Sequence, residues 1–295
     1  MDFSKMKQQS GNLSKLAQKI QEMKITPDAG DSKEHYWKPE VDKSGNGIAT
    51  FRFLPAPSID NDEDALPWVK VFSHGFKGPG GWLIDNCLTT KNNQCPVCEG
   101  NTVLWNSGIE ANKTVARERK RKLNYITNIY IVSDPKHPEN EGKVFLYRFG
   151  KKIFDKITEA MNPPFEDEKP INPFDLWKGA NFKLKIRKVE GYQNYDKSEF
   201  ETSSPLSDDD TKMEKIWKSE YSLKELVDDS QFKSYDMIKT RLEKVLGLAG
   251  EPVNMTTVES IKAAAKTAPV KAPVETSVDE EDADMDYFKK LAEQD

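Results

Sequence analysis

Three cysteines and one histidine are spaced so that they could hold a metal ion. Cys87, Cys95 and Cys98 fall within twelve residues, and His74 lies thirteen positions before the first of them. Zinc prefers four nitrogen or sulfur ligands in a tetrahedron, and a closed set of three cysteines and one histidine is typical of a structural site. The alternatives are a redox CxxC motif or three unrelated buried thiols. We predict one structural Zn²⁺ held by all four residues, with no position open for catalysis.

Cations and tyrosines form a second group that could do chemistry. Residues 110–156 contain twelve Lys or Arg against six Asp or Glu, and the densest run is 117–122. Cations that follow phosphates and aromatic rings that stack on bases are what single-stranded nucleic acid requires, with little preference for sequence. The alternative is that the tyrosines belong to the core and the lysines only aid solubility. The residues predicted for this surface are Lys120, Arg121, Lys122, Tyr125, Tyr147, Arg148, Lys183, Lys185, Arg187, Tyr192 and Tyr195.

Short strands must position both groups. Alternating apolar residues and turn signals predict strands over 48–54, 68–74, 82–86, 123–132, 144–149 and 182–189, and the glycine-rich turn 78–81 predicts a hairpin. Within the last strand, Lys183, Lys185 and Arg187 share one face, opposite three apolar residues. Helices are predicted after residue 150, over about 211–227, and over 235–246, with Ser234 as N-cap and Gly247 as C-cap. This pattern predicts a fold that is mainly β with added helices (α+β), built on a small β-barrel.

The two ends of the chain differ in charge from its middle. Residues 1–24 carry five lysines and two acids, with apolar residues at helical spacing from Leu13 to Met23. Such a helix either docks on the core of its own chain or serves as an arm that docks on a neighbouring molecule. Residues 247–295 hold eleven acids and five lysines, and Asp279 to Asp286 contains six acids in eight positions. Tyr287, Phe288 and Leu291 follow, and an acidic tail with such anchors is predicted to bind a protein partner.

Composition excludes several classes of protein. The chain has 295 residues, a net charge of -5 and a hydrophobic fraction of 36%. Its longest apolar run is far shorter than the roughly 20 residues that a membrane helix needs, and no secretory signal opens the chain. Three cysteines rule out a disulfide scaffold. We therefore expect a soluble intracellular protein without membrane contact.

Short motifs along residues 36–247 together resemble one family. They are Gly45-Asn46-Gly47, Arg52-Phe53-Leu54-Pro55, His74-Gly75-Phe76-Lys77, Cys95-Pro96-Val97-Cys98, Lys120-Arg121-Lys122, the run from Pro138 to Phe145, the run from Tyr147 to Ile153, Gly179-Ala180-Asn181-Phe182 and Asn194-Tyr195-Asp196. In this order they resemble the single-stranded DNA-binding proteins of T4-type bacteriophages, the helix-destabilising proteins of the phage replisome.

The resemblance implies a specific organisation. It implies an OB-fold β-barrel core over 26–247 with an inserted zinc-binding subdomain at about 68–105, a basic self-association segment over 1–25, and an acidic, flexible tail over 248–295. The family's zinc ligands correspond to His74, Cys87, Cys95 and Cys98. Its DNA-contacting aromatics correspond to Tyr125, Tyr147, Tyr192 and Tyr195, and Trp105 stands near the position of another contacting tyrosine. Lys5 and Lys7 are a loose counterpart of its basic self-association motif.

The function that follows from the resemblance is non-enzymatic. The protein would coat single-stranded DNA cooperatively during replication, recombination and repair in the cytoplasm of the infected bacterial host. Its tail would bind phage DNA polymerase, helicase-loader and recombination-mediator proteins through Tyr287, Phe288 and Leu291. Two other functions compete with this one. The first is a zinc-containing nuclease or nucleotidyl-transferring enzyme, although no motif positions its carboxylates. The second is an RNA-binding regulator of its own message.

Overall fold

The computed structural model describes residues 35–62 and 65–248. The segment 1–25 and nearly all of the tail 248–295 lie outside the described residues, and with them Lys5, Lys7, Tyr287, Phe288 and Leu291. Within the part described, no helix is long and apolar enough to cross a bilayer.

A nine-stranded mixed sheet forms the centre of the molecule. Its strands are β1 Tyr36–Trp37, β2 Gly47–Phe53, β3 Val69–Gly78, β4 Gly81–Asn86, β5 Lys122–Ser133, β6 Val144–Phe149, β7 Phe182–Val189, β8 Tyr192–Asn194 and β9 Glu199–Phe200. The main path runs β1-β6-β5-β2-β7-β8, while β3 pairs with β4 and β5, and β9 pairs with β7. Only β1 and β6 pair in parallel among these ladders.

Five helices complete the described part and confirm the α+β class. They are α1 Pro96–Asn106, α2 Glu110–Arg119, α3 Lys151–Met161, α4 Asp210–Lys218 and α5 Tyr235–Val245. The ladders between described residues do not join the two ends of the sheet path, so barrel closure stays a prediction.

Two cores position the groups singled out in the sequence. The larger core is aromatic and lies against β2, β5, β6 and β7, with Phe51, Phe53 and Phe182 fully buried at its centre. The second core surrounds the His/Cys cluster and is built from β3, β4, α1 and α5. Leu242 of α5 belongs to it, far along the chain from the cysteines.

The hairpin between β3 and β4 needs its glycines because α5 approaches it closely. The amide of Gly80 donates to the carbonyl of Val245 over 2.9 Å. A Cβ atom at Gly80 would lie 1.9 Å from the carbonyl oxygen of Lys244. The predicted turn is therefore confirmed, and its glycines also make room for a helix backbone.

Of the three helices predicted within the described residues, those after residue 150 and over 235–246 are confirmed as α3 and α5, and the one over 211–227 is too long. Ser234 caps α5 by accepting a hydrogen bond from the Met237 amide over 3.4 Å, and Gly247 follows that helix with φ +74°. The helix predicted over 211–227 instead ends at Lys218. Asn128 of β5 bonds both the amide and the carbonyl of Tyr221, and this holds the backbone away from helical geometry. Helices α1 and α2 were not predicted.

Candidate metal centre and nucleic-acid interface

Three elements bring the predicted ligands together. His74 lies on β3, Cys87 directly follows β4, Cys95 is the N-cap residue of α1, and Cys98 lies in its first turn. Pro96 occupies the first helical position, where its missing amide hydrogen costs nothing. The strand hairpin supplies two ligands and the helix start supplies the other two.

The cluster has the dimensions of a tetrahedral zinc site. The four ligand atoms all lie within 4.8 Å of one another, and all four residues are buried. His74 Nε2 lies 3.5 Å from Cys95 Sγ and 3.6 Å from Cys98 Sγ. Cys87 Sγ lies 3.5 Å from Cys98 Sγ. Zinc bonds of about 2.3 Å to sulfur and about 2.1 Å to nitrogen place tetrahedral S···N neighbours about 3.6 Å apart. The residues therefore fit this metal.

Surrounding groups orient the ligands. His74 Nδ1 lies 3.2 Å from the carbonyl oxygen of Arg119. With a metal bound, Nδ1 would donate its proton to this carbonyl, and Nε2 would present its lone pair to the ion. Thr89 Oγ1 lies 3.1 Å from Cys87 Sγ. Neither Thr89 nor the Arg119 carbonyl was predicted from the sequence, because ligand spacing carries no information on second contacts.

The electrostatics of the cluster favour a bound cation. Burial alone would lower the pKa of His74, but the sulfur atoms of Cys87 and Cys95 outweigh it and raise that pKa to about 9. Hydrogen bonds with Cys87 and Cys98, and then the charge of His74, lower the pKa of Cys95. Both shifts favour the charged forms of the two side chains when no metal is bound. A divalent cation would replace these protons.

Arg121 joins the His/Cys region to the sheet. Its guanidinium lies 4.0 Å from the ring centroid of Phe72 on β3. Its Nη1 donates to Thr89 Oγ1 over 2.6 Å. Only 9% of the residue is exposed. The neighbours Lys120 and Lys122 are half-buried and exposed, respectively. Among these three residues, Arg121 therefore contacts other side chains of the protein, whereas Lys120 and Lys122 are more exposed to solvent.

The predicted tyrosines lie in a continuous row of rings. Tyr125 stacks on Phe154 of α3 with centroids 3.9 Å apart, and Phe149 stacks between Tyr125 and Tyr147 at 5.8 and 5.4 Å. Tyr125 is 8% exposed and Tyr147 is 3% exposed. Desolvation raises the pKa of both phenols. Phe154 was not predicted as part of the surface.

Tyr195 extends this row toward solvent. Tyr195 packs against the aromatic core while its hydroxyl donates to Gln193 Oε1 over 3.1 Å. It lies close enough to Tyr147 for its charged form to raise the pKa of Tyr147. Tyr192 is 51% exposed. The loop that carries both tyrosines is tied to α3, since Lys156 Nζ donates to the Asp196 carbonyl over 3.1 Å.

The cationic face of β7 is confirmed, and two of its cations have acidic partners. Lys185 Nζ lies 2.6 Å from Glu199 Oε1. Arg187 Nη2 lies 2.5 Å from Asp196 Oδ2. These pairs are largely exposed, so solvent screening leaves their net attraction weak. Phosphates could therefore compete for Lys185 and Arg187 at little cost.

Two predicted residues lie apart from the ring row. Arg148 points to the opposite face of β6 from Tyr147 and lies 5.3 Å from the Tyr36 ring centroid. Trp105 packs on the core of the His/Cys region, with Lys113 and Arg117 over its ring at 5.8 and 5.2 Å. The structure thus brings Tyr125, Tyr147 and Tyr195 together, and leaves the other two at separate places.

Comparison with known proteins assigns the chain to a family. Residues 45–246 match the family model described as gp32 DNA binding protein like. The chain is 40% identical over 220 residues to the single-stranded DNA-binding protein of Enterobacteria phage T2, which covers 72% of this chain and 70% of the relative. The same identity and coverage hold for the protein of that name from Enterobacteria phage T4. A shorter stretch of 65 residues is 46% identical to that of Escherichia phage SV14, covering 21% of this chain and 54% of the relative. The chain belongs to the gp32-like family of DNA-binding proteins.

Proposed function

We propose that the protein binds single-stranded DNA with little sequence preference and coats it during phage replication, recombination and repair. The observation that carries the proposal is the stacked ring row beside exposed cations. Tyr192 and Tyr195 are the rings that meet bases first, and the packed Tyr125 and Tyr147 form the floor beneath them. Exposed Lys122, Lys151, Lys152 and Arg187 supply positive charge for phosphates. Relatives that are 40% identical carry the name of single-stranded DNA-binding proteins.

Anisotropy of a labelled oligothymidylate, titrated at several salt concentrations, tests this proposal. Tyr192→Ala should weaken binding roughly 5- to 150-fold, because one stacked base is worth about 1 to 3 kcal/mol. It should leave the salt dependence unchanged, since stacking releases no ions. Lys122→Ala should lower the slope of log K against log salt by about 0.7. Trp82→Ala and Lys212→Ala, at exposed positions elsewhere, are the matched controls. Wild-type affinity for Tyr192→Ala would place the interface elsewhere.

The same samples separate binding from enzymatic function. Labelled single strands incubated with Mg²⁺ should remain intact, because the protein is proposed to coat DNA without cleaving it. RNA of equal length should compete more weakly than DNA. Cleavage of the strand, or preference for RNA, would contradict the proposal.

We infer that the His/Cys cluster holds one Zn²⁺ with a structural role. Four protein ligands fill a tetrahedral ion, so no site remains for substrate. The ion would fix the β3–β4 hairpin against α1. This supports an inserted zinc subdomain beside the sheet, and the sheet itself is proposed to be a partly open OB-type barrel, a form in which closure is incomplete.

The two ends of the chain are proposed to serve assembly. Lys5 and Lys7 in the basic segment 1–25 would support cooperative self-association along the strand. Tyr287, Phe288 and Leu291 in the acidic tail would bind phage DNA polymerase, helicase-loader and recombination-mediator proteins. The opposite charges of the two ends, with five lysines against two acids over 1–24 and eleven acids against five lysines over 247–295, support separate roles for them. The place of action would be the cytoplasm of the infected bacterial host.

A further inference from the structure

An acidic groove lined by tryptophan lies beside helix α4. It has a volume of about 930 Å³ and runs between the loop at 55–58, the segment 172–177 and helix α4. Its apolar lining includes Pro57, Trp177, Met213 and Trp217, and its acids include Asp175, Asp210 and Glu214. No lysine or arginine is among the lining residues that the structure describes.

Hydrogen bonds fix the two tryptophans in place. Trp177 is 57% exposed, and its Nε1 donates to Asp210 Oδ1 over 2.9 Å. Trp217 Nε1 donates to the carbonyl of Ala56 over 2.9 Å. Asp175 Oδ1 accepts hydrogen bonds from the amides of Trp177 and Lys178, and these bonds fix the backbone of the segment that lines the groove. The groove is therefore preformed, and filling it would cost little side-chain entropy.

The groove requires an occupant that is cationic and apolar on adjacent faces. Residues 1–24 of this chain match this requirement, with five lysines against two acids. At helical spacing, Leu13, Leu16, Ala17, Ile20 and Met23 form one apolar row. In such a helix, Lys15 and Lys19 would lie one turn apart beside that row. The apolar row suits the tryptophans, and the lysines suit Asp210 and Glu214.

The described chain begins close to the groove. His35 stacks on Tyr221 with ring centroids 4.5 Å apart. Tyr221 follows four residues after Trp217, which lines the groove at the end of α4. Residues 25–34 can span up to about 34 Å when extended, enough to return residues 1–24 to the groove. A short tether of this kind gives an effective concentration in the millimolar range, which favours docking within one chain over docking between chains at micromolar protein.

We propose that this groove is the docking site of residues 1–24 of the same chain. The lysines of the segment pair with Asp210 and Glu214, and its apolar row covers Trp177. Glu214 would exchange its present partner, Lys218, for a lysine of the segment. The docking goes beyond the proposed DNA binding and does not depend on it. Self-association through the segment would first have to release it from this groove.

Photo-crosslinking in the full chain tests the docking. A benzoylphenylalanine replaces Gln21, beside the apolar row, and labelled and unlabelled chains are mixed in equal amounts before irradiation. Mass spectrometry should find crosslinks to peptides from 172–177 or 210–217 within single chains. D210N/E214Q keeps the Trp177 hydrogen bond and should reduce this yield several-fold, while D236N/E243Q on α5 should not. Crosslinks that join labelled to unlabelled chains, or an absence of crosslinks to these peptides, would overturn the proposal.

Indole resonances give a second measurement that needs no crosslinker. The chain has six tryptophans, and Trp177→Phe assigns the resonance of interest. K15E/K19E should shift the Trp177 indole signal of the full chain and leave that of Trp82 in place. An unshifted Trp177 signal would contradict the docking even if DNA binding were as proposed. Loss of DNA binding with a shifted signal would contradict only the proposed function.

Discussion

Single side chains fix the geometry of the sheet from within, and Arg52 is the clearest example. It is fully buried and donates to Asn181 Oδ1, to the carbonyl of Asp175 and to the carbonyl of Ser204. Burial lowers the pKa of its guanidinium, and Asp175 and Glu201 oppose this shift. Three hydrogen bonds to a buried cation tie β2 to the loops on both sides of β7.

Gly179→Ala should destabilise the protein through Arg52. A Cβ atom at this position would lie 2.3 Å from the Asp175 carbonyl oxygen and 2.7 Å from Arg52 Nη1. Backbone must then move and a buried cation loses a hydrogen bond, which we expect to cost about 2 to 4 kcal/mol. Urea unfolding measures the change. Gly150→Ala is the control, because a Cβ atom there meets nothing within 4 Å. Equal stability of the two variants would contradict the role of Gly179.

Glu220→Gln should stabilise the protein at neutral and basic pH. Neither carboxyl oxygen of Glu220 has a hydrogen-bond partner, and burial, followed by the charge of Asp60, raises its pKa to about 9. Between pH 4.5 and 9 the folded state holds a proton that the unfolded chain has lost, so stability falls as pH rises through this window. The variant removes that loss, and we expect a gain of about 1 to 3 kcal/mol at pH 7.5 that shrinks toward pH 5.

Unfolding curves at pH 5 and pH 8 check this difference. Glu225→Gln, at an exposed position, is the control. A gain that is the same at both pH values would show that the carboxyl of Glu220 is already ionised in the folded protein.

At the scale of elements, the His/Cys cluster joins the β3–β4 hairpin to helix α1. His74 and Cys87 come from the hairpin, while Cys95 and Cys98 come from α1, and α5 covers the core that they share. Without a metal ion, the sulfur and nitrogen atoms of these four buried side chains lie close together with no cation between them. The metal and this second core therefore stabilise each other.

Zinc removal should lower the stability of this region first. One equivalent of zinc per chain is expected by atomic emission. Chelation, or Cys95→Ser, should increase amide exchange in α1 and α5 more than in β2 and β7, and lower the melting temperature. Thr89→Val, which keeps all four ligands, should bind zinc more weakly and retain the fold. An unchanged melting temperature after metal removal would exclude a structural role.

The same elements show which features a sequence pattern can predict. Strands β6 and β7 occupy the predicted residues because strict alternation marks a face of a sheet. The four ligands were predicted from their spacing in the sequence, and the structure brings their ligand atoms together. The end of α4 was not predictable, since Asn128 sets it from a distant strand. Arg121 was assigned to DNA on charge alone, and its contacts with Phe72 and Thr89 depend on how the two cores meet.

At the scale of the whole molecule, charge is divided between segments. Residues 110–156 carry a net charge of +6 and residues 247–295 carry -6. Opposite exposed charges attract over about 10 Å at 0.1 M salt. The acidic tail is therefore expected to compete with DNA phosphates for the cationic surface.

Neutralising the tail should raise affinity for DNA. Replacing the six acids between Asp279 and Asp286 by their amides should strengthen binding to oligothymidylate several-fold at low salt, with a difference that vanishes near 0.5 M salt because of screening. Amide substitution of Glu166, Asp167 and Glu168, which are exposed acids outside the proposed groove, is the control. Equal affinities of wild type and tail variant at 20 mM salt would show that the tail does not compete.

The docking of α5 on the His/Cys core also sets an order of events during synthesis. The four ligands leave the ribosome roughly 150 residues before Leu246 completes that core. At a translation rate of about 5 to 20 residues per second, the hairpin and α1 emerge roughly 8 to 30 s before helix α5, which covers them. During this interval the three thiols lie in an unfinished apolar shell. A metal ion captured at this stage would keep them from oxidation and hold the hairpin in register until translation delivers α5.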